Sequence, residues 1–460
     1  PGLRQVFGGV ITGGGSVGLP LLLGPSEFAL YGYVNTAFLV GAAIGDLGLG
    51  ASIIRGQIKG KGLERSLALQ LSFWGLVCLI LIIGAITLNP FGFTVITSSL
   101  LVLSFFFLSL QALPTALLEK QMRFGKIAAI EIVQRVILIS VAIGSAIVHP
   151  AEWSIPLAAL TAAIVGYPAF LYAARWKWPP LWAKGEIAFR GFSSEWWQVR
   201  IASQLAYAAY PLLGGLLFST FEVGLIVWAL AITTIPGYLA PMVARAAFPA
   251  LTTAQPASRP GIYSPLLKGL LLIGGPMIAA LLVSAGPMTR EIFGEQWLDA
   301  VPLLRLESVT TMLGIVSGSV IPLVFLSAPP RTVKWVCVGN TMLVVVGGLV
   351  LSPLVGYLSL SVATIIAAVI QLVIFNRLLR TELDYNLVRD AAPSFVGVLI
   401  GTAIGLPVVL QSDSFLVAIA AAVLAAAIQV AVTFALKGGV NPRTILSAIR
   451  DRSAAGSVTA

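Results

Sequence analysis

Ionisable and polar side chains inside long apolar stretches are the residues of this sequence best suited to chemistry. A charge at the bilayer centre costs on the order of 2.5–3.5 kcal/mol on insertion scales, so such a residue normally faces protein or water. Arg200 lies deep in one stretch, and Gln204 and Tyr207 follow at i+4 and i+7, on one helix face. Guanidinium donors suit a phosphate, and the amide and phenol suit sugar hydroxyls. We predict that this stripe binds a phosphorylated sugar; the alternative is an Arg200 ion pair with a neighbouring helix.

Two further arginines are candidates for the same cargo. Arg135 lies four residues after Glu131, so the two form either a structural ion pair or part of a site. Arg245 lies near the end of its stretch, where its side chain would ordinarily snorkel to the interface. If Arg135, Arg200 and Arg245 converge, they form a cationic chamber suited to a diphosphate.

A second group of candidates is assigned to gating or ion coupling. Asp46 and Asn35 fall on one face of a stretch, with Arg55 just beyond it. Asp46 is therefore either a latch or ion-coupling carboxylate, or a contact that caps a helix. Arg305 and Glu307 lie in the outer third of another stretch, and we assign the arginine to cargo and the glutamate to coupling.

The composition explains why these charges are exceptional. Of 460 residues, 58% are hydrophobic and 10% charged, and the mean hydropathy is +0.97. Soluble domains carry about 25% charged residues, so these figures exclude a soluble protein, a disordered chain and a disulfide scaffold. The class that remains is an all-α, polytopic membrane protein. In that class the net charge of +10 indicates basic cytoplasmic loops, and no nucleic-acid partner is expected.

Transmembrane helices of about 20 residues account for most of the chain. We predict about fourteen, near residues 6–23, 28–52, 67–88, 93–117, 127–148, 154–174, 192–218, 223–249, 266–286, 300–327, 333–352, 355–376, 391–410 and 414–436. Counts of twelve or thirteen stay open, because Pro236–Pro241 could be a kink or a break.

The distribution of basic residues predicts the orientation. With the N-terminus inside, all but four of the 28 Lys and Arg fall in cytoplasmic segments, the exceptions being Arg135, Arg200, Arg290 and Arg305. The positive-inside rule therefore supports the whole alternation and places both termini in the cytoplasm.

Two segments of the chain resemble each other. Residues 27–33 begin the second predicted span and residues 222–228 the eighth, and they align from Glu27 with Glu222 to Tyr33 with Trp228. Six spans separate the copies, so both have the same orientation. This predicts a parallel repeat about an axis along the membrane normal, an arrangement in which transporters bind cargo between the halves.

Several catalytic signals are absent from the sequence. No glycine-rich stretch is followed by the Lys-Ser/Thr of a nucleotide-binding loop, and His149 is the single histidine. Cys78 and Cys337 lie in apolar runs, and no loop is long enough for a catalytic domain. We therefore expect no cofactor, no metal site and no catalytic residue, and energy coupling through H⁺, Na⁺ or the membrane potential.

A series of short motifs resembles bacterial oligosaccharide flippases of the Wzx type. In order along residues 3–310, they are Leu23-Gly-Pro-Ser-Glu-Phe-Ala-Leu-Tyr31, Asp46-Leu-Gly-Leu-Gly50, Leu118-Glu-Lys-Gln-Met-Arg-Phe124, Phe248-Pro-Ala-Leu251, Ile292-Phe-Gly-Glu-Gln-Trp297 and Ala300-Val-Pro-Leu-Leu304. Arg55 and Glu131 fit the same pattern.

The resemblance implies a fold and a cargo. Its superfamily also holds lipid II flippases and MATE exporters, and it implies two six-helix lobes in a V around a central cavity. The lobes would be residues 1–175 and 192–380, joined by a linker at 176–191 and followed by two extra helices and a tail at 381–460. The implied cargo is undecaprenyl-diphosphate-linked oligosaccharide, moved to the outer leaflet of the bacterial inner membrane for polysaccharides such as O-antigen.

Other functions are weighed against this one. A lipid II flippase and a MATE-type exporter are the nearest alternatives, and the basic interior disfavours cationic drugs. A membrane-embedded glycan polymerase or ligase would need a substantial external loop; such an enzyme is instead a possible partner of the chain.

Overall fold

The computed structural model is helical throughout the part of the chain that it describes. That part comprises residues 20, 24–26, 28–29, 32–33, 36, 45, 47–54, 58, 61–88, 94–148, 153–176, 192–412, 414–436 and 438. The helices are α1 (Leu49–Ile54), α2 (Lys61–Leu88), α3 (Val95–Leu110), α4 (Ala112–Lys120), α5 (Phe124–Val148), α6 (Ser154–Ala173), α7 (Phe192–Leu217), α8 (Thr220–Gly237), α9 (Leu239–Thr253), α10 (Arg259–Met288), α11 (Val301–Ser327), α12 (Pro330–Val355), α13 (Ser359–Leu383), α14 (Leu387–Leu410) and α15 (Phe415–Ala435). Lipid supplies no partners for backbone amides, so apolar runs of this length fold as helices.

The observed helices match most of the predicted spans, and nine stretches of the described residues are long and apolar enough to cross a membrane. The chain is therefore an all-α, multi-pass membrane protein. Two predicted spans are divided: 93–117 turns at Gln111 between α3 and α4, and 223–249 breaks at Tyr238 between α8 and α9. Pro236 precedes the second break, which agrees with the interruption considered for Pro236–Pro241.

Other predicted spans are only partly covered. The span 6–23 lies outside the described residues except for Pro20, and 28–52 is described in part. Within it Leu47 and Gly48 have φ of 48° and 69°, so the helical path is interrupted just before α1. The total of fourteen spans stays a prediction.

Contacts group the helices into two compact units. The first, residues Pro1–Ile232 and Pro330–Ala363, holds α1 to α7, most of α8 and α12. Within it α5 packs on α6, α6 on α3, and α7 on α12. A core cluster of Leu49, Ile53 and Leu113 joins α1 to α4. The lobe boundary predicted at 176–191 falls inside this unit, and the six-helix lobes stay a prediction.

The second unit, residues Thr233–Pro329 and Thr364–Ala460, is organised around α10. That helix packs against α9, α11, α14 and α15. A buried polar chain joins three of these helices: Gln429 Nε2 donates to Ser394 Oγ at 2.8 Å, and Ser394 Oγ donates to Leu271 O at 3.1 Å. The two C-terminal helices are therefore tied to α10 through polar atoms as well as apolar contacts.

Three glycines one turn apart let α14 and α15 pack backbone to backbone. A Cβ built on Gly401 would lie 2.5 Å from Ala425 O, and one on Gly397 would lie 2.7 Å from Gln429 O. Gly405 faces Ala421 O at 3.1 Å in the same way. Small residues at this spacing permit close helix packing in membranes.

A G401A substitution should destabilise this helix pair. Its methyl group must displace the Ala425 carbonyl, and overpacking of this kind typically costs 1–3 kcal/mol, so we expect a loss of about that size. Gly144 provides the matched control, because nothing lies within 4 Å of its Cβ position. Thermal unfolding in detergent should show a lower Tm for G401A and an unchanged or raised Tm for G144A. Equal Tm values would contradict the packing described above.

Candidate functional site

Helix α5 carries Glu131 and Arg135 on the side away from its exposed apolar face. Arg135 lies eleven residues after Phe124, or about 16 Å along the helix at 1.5 Å per residue. Val133 and Val136 are 51% and 48% exposed and mark the lipid-facing side. At about 100° per residue, Glu131 and Arg135 point roughly opposite to that side.

Glu131 and Arg135 lie one turn apart on α5, and both are partly buried. The Glu131 carboxylate takes part in an interaction within the protein. Both hypotheses for these two residues, a structural ion pair and part of a site, stay predictions.

Helix α7 presents Arg200, Gln204 and Tyr207 as one stripe on a continuous helix. All three are partly buried, and Arg200 lies eight residues, or about 12 Å, from Phe192. The exposed apolar side of α7, marked by Leu216 at 82% exposure, lies about 160° around the helix from Arg200. Because α7 is continuous over these residues, the three side chains share one face of the helix.

Contacts with α12 fix the rotation of α7. Thr341 Oγ1 donates to Ala202 O at 2.6 Å, on the side of α7 opposite the stripe. Near the start of both helices, Arg331 Nε lies 3.6 Å from Glu195 Oε1. Helix α12 therefore packs against α7 on the side opposite the stripe.

The structure does not bring Arg305 and Glu307 together. Both belong to α11, and their separation of two residues turns them about 200° apart. Glu307 is 2% exposed, whereas Arg305 is partly exposed beside the exposed Pro302 and Val309. Arg305 lies four residues, about 6 Å, from the start of α11.

Four predicted residues cannot be placed. Asn35, Asp46 and Arg55 lie outside the described residues, and for Arg245 only the backbone, within α9, is described. The residue before Asp46 is anchored: Gly45 O accepts hydrogen bonds from Gln70 Nε2 at 3.1 Å and Trp74 Nε1 at 3.2 Å. The turn at Leu47 and Gly48 therefore follows a backbone carbonyl that two side chains of α2 hold in place.

Sequence reasoning missed a set of intramembrane amides. Gln70 and Gln429 are fully buried, and Gln111 and Gln134 bond to each other at 3.1 Å. An amide in an apolar run is a weaker signal than a charge, but it carries the same requirement for partners. These four residues cross-link helices within the two units.

A second missed cluster lies where α13 meets α14. Lys268 Nζ is 3.2 Å from Asp390 Oδ1, and Tyr385 Oη donates to Asp390 Oδ2 at 2.9 Å. Burial raises the pKa of Tyr385, and the charge of Asp390 raises it further. The phenol therefore stays protonated and remains a donor to Asp390.

The duplicated motifs meet in the first unit. A Cβ on Gly32 would collide with the side chain of Val227, and one on Gly224 would collide with Pro25 O. Val227 is the counterpart of Gly32 in the alignment of 27–33 with 222–228. A residue that touches its own counterpart lies near an axis relating the two copies, so this contact supports the duplication.

A known family accounts for this arrangement. The profile of the family described as "Polysaccharide biosynthesis protein" matches residues 19–302, more than half of the chain. The chain belongs to this family. No curated protein sequence matches it.

Solved structures show the same fold. A structure titled "Lipid II flippase MurJ, inward closed conformation" has a TM-score of 0.69 at 13% identity, covering 94% of this chain and 98% of that one. A MATE multidrug transporter named DinF-BH has a TM-score of 0.58 at 15% identity over 84% and 93% of the two chains. A eukaryotic MATE transporter has 0.56 at 12% identity over 83% and 94%. The chain therefore has the fold of the MurJ flippase and the MATE transporters, which is the fold that its sequence resemblance implied.

Cysteines at positions 32 and 227 should cross-link. The Cβ position of Gly32 lies 3.0 Å from Val227 Cβ, close to the roughly 3.5–4.5 Å range of disulfides. The double variant G32C/V227C is made in a background that lacks Cys78 and Cys337 and carries a protease site inserted in residues 177–191. After oxidation and cleavage at that site, the new disulfide should keep the two fragments joined. The pair at 144 and 227 is the control, because Gly144 has open space around it. If the fragments of the 32/227 variant separate as those of the 144/227 control do, the close approach of Gly32 to Val227 is contradicted.

Proposed function

We propose that this chain is a flippase for undecaprenyl-diphosphate-linked oligosaccharide, moving it from the cytoplasmic to the outer leaflet by alternating access. The family's link to polysaccharide biosynthesis and the flippase fold support the class. The observation that carries the cargo is the placement of Arg135 and Arg200. Arg135 lies about 16 Å along α5 and Arg200 about 12 Å along α7, each on the side away from the most exposed apolar residues of its helix.

The chemistry of these residues suits a diphosphate joined to sugars. A guanidinium presents several donors in one plane and keeps its charge at every physiological pH, so it pairs well with phosphate oxygens. Gln204 and Tyr207 continue the Arg200 face and offer donors and acceptors to sugar hydroxyls. The same arginines would repel a cationic drug.

Lipid II is the second candidate cargo. The specific observation in its favour is the MurJ structure, which matches along 94% of this chain. A fold shared at 13% identity does not decide between cargoes, so both belong in the transport assay.

Alternating access assigns roles to the remaining candidates. Two six-helix lobes, residues 1–175 and 192–380, would rock about the repeat axis and expose the cargo site to each leaflet in turn. Asp46, Glu131 and Glu307 are the carboxylates available to couple this motion to H⁺ or Na⁺, with Asn35 and Arg55 beside the first. Arg245 and Arg305 would hold the diphosphate near the two membrane edges. The proposal places the chain in the bacterial cytoplasmic membrane with both termini in the cytoplasm, next to polymerase machinery.

Replacing either cargo arginine should slow transport without loss of protein. A charge-assisted contact is worth about 1.5–3 kcal/mol, so R135A and R200A should each lower the translocation rate about 10- to 100-fold. The assay is translocation of a fluorescent polyprenyl-diphosphate oligosaccharide in proteoliposomes, with labelled lipid II in parallel.

An exposed arginine provides the control for this test. Arg380 is exposed in the last turn of α13 and has no assigned contact with cargo, so R380A should keep the full rate. Full transport by the triple variant R135A/R200A/R245A would overturn the proposed cargo site. Faster transport of lipid II than of the oligosaccharide would reassign the cargo.

A further inference from the structure

Two glutamine side chains form a clamp between membrane helices in the first unit. Gln134, on α5, donates from Nε2 to Gln111 Oε1 and to Ala162 O, both at 3.1 Å. Gln111, at the turn between α3 and α4, donates from its own Nε2 to Ala163 O at 3.0 Å. We call this arrangement of Gln111, Gln134 and the two α6 carbonyls the amide clamp.

Gly166 makes room for the clamp. A Cβ at this position of α6 would overlap the Gln134 side chain, whose Cγ lies only 2.9 Å from it. The Gln134 amide therefore rests directly on the α6 backbone, one turn beyond the Ala162 carbonyl that it binds. Any larger residue at 166 would push the amide away from its partners.

The amide clamp restricts the rotation of α5. A hydrogen bond in a low-dielectric setting has no water to replace it, so turning α5 would leave amide and carbonyl groups without partners. Arg135 directly follows Gln134 and points about 100° away around the helix. Val136 lies on the exposed side of α5. If α5 rotated by about 100° so that Arg135 took the direction of Val136, the guanidinium would point toward lipid.

We propose that Gln134 is a positioning residue for Arg135: the amide clamp sets the rotation of α5 so that the guanidinium faces the cargo path. This inference rests on the proposed function, since it assumes that Arg135 contacts an anionic cargo. Gln134 itself points toward α6 and has no role in binding cargo. Gln134 affects transport only because it sets the direction in which the Arg135 side chain points.

Solvent accessibility at position 135 tests the positioning without reference to transport. In a background lacking Cys78 and Cys337, R135C should react with a water-soluble thiosulfonate. Adding Q134L, which keeps the volume but removes the donors, should slow that reaction about tenfold, the effect expected for loss of two interhelical hydrogen bonds. S145A is the control, since Ser145 Oγ bonds only within α5, to Val141 O and Ala142 O. An unchanged rate for Q134L/R135C would overturn the positioning role.

A matched pair of variants isolates the contact with Gly166. G166A should slow the R135C reaction as Q134L does, because its methyl group displaces the amide. In a Q134A background the same G166A change should have no further effect, since the space is then vacant. Equal effects of G166A in both backgrounds would show that the glycine acts by another route and would overturn the clamp.

Transport separates this inference from the proposed cargo. Q134L should lower the translocation rate of the fluorescent polyprenyl-diphosphate oligosaccharide in the native chain but not in R135A, since there is no guanidinium left to position. An equal further loss in R135A would overturn the positioning role. If Q134L slows labelling of R135C while R135A transports normally, the clamp stands and the cargo role of Arg135 fails.

Discussion

The bilayer supplies no hydrogen-bond partners, and this constraint acts on every polar group inside a membrane helix. Backbone amides are satisfied within helices, and polar side chains between helices look for partners in their neighbours. The Nε2 donors of Gln70, Gln134 and Gln429 find them in carbonyls or hydroxyls of adjacent segments. The helices are thus joined at a few polar points, and these points set rotations that apolar packing against lipid would leave free.

Glycine makes these polar contacts possible. Gly45, Gly166 and Gly275 each lie against a polar side chain or its amide, and a Cβ at any of them would occupy that side chain's place. The same property lets the duplicated segments approach at Gly32 and Gly224. The glycines therefore mark contacts that depend on close backbone approach, while glycines with open space around them, such as Gly144, mark none.

The sequence predicted some of this and missed the rest for physical reasons. Helix positions follow from apolar length, and the faces of Arg135 and Arg200 follow from spacing and from the cost of charge in lipid. The turn at Gln111 was missed because the signal there is one amide, and its partner is the Ala163 carbonyl, a backbone atom with no sequence signature. The separate directions of Arg305 and Glu307 on α11 agree with the different roles assigned to them and follow from their spacing of two residues.

Glutamine and arginine side chains have different roles in the membrane helices because they carry different hydrogen-bonding groups. A glutamine carries both kinds of group and no charge, so two of them can close on each other and on backbone carbonyls, as Gln111 and Gln134 do. A guanidinium has donors only, and its charge requires an anion. Under the proposed function, the diphosphate of the cargo supplies that anion for Arg135. A neutral clamp next to Arg135 can therefore set the direction of that charge without pairing with it.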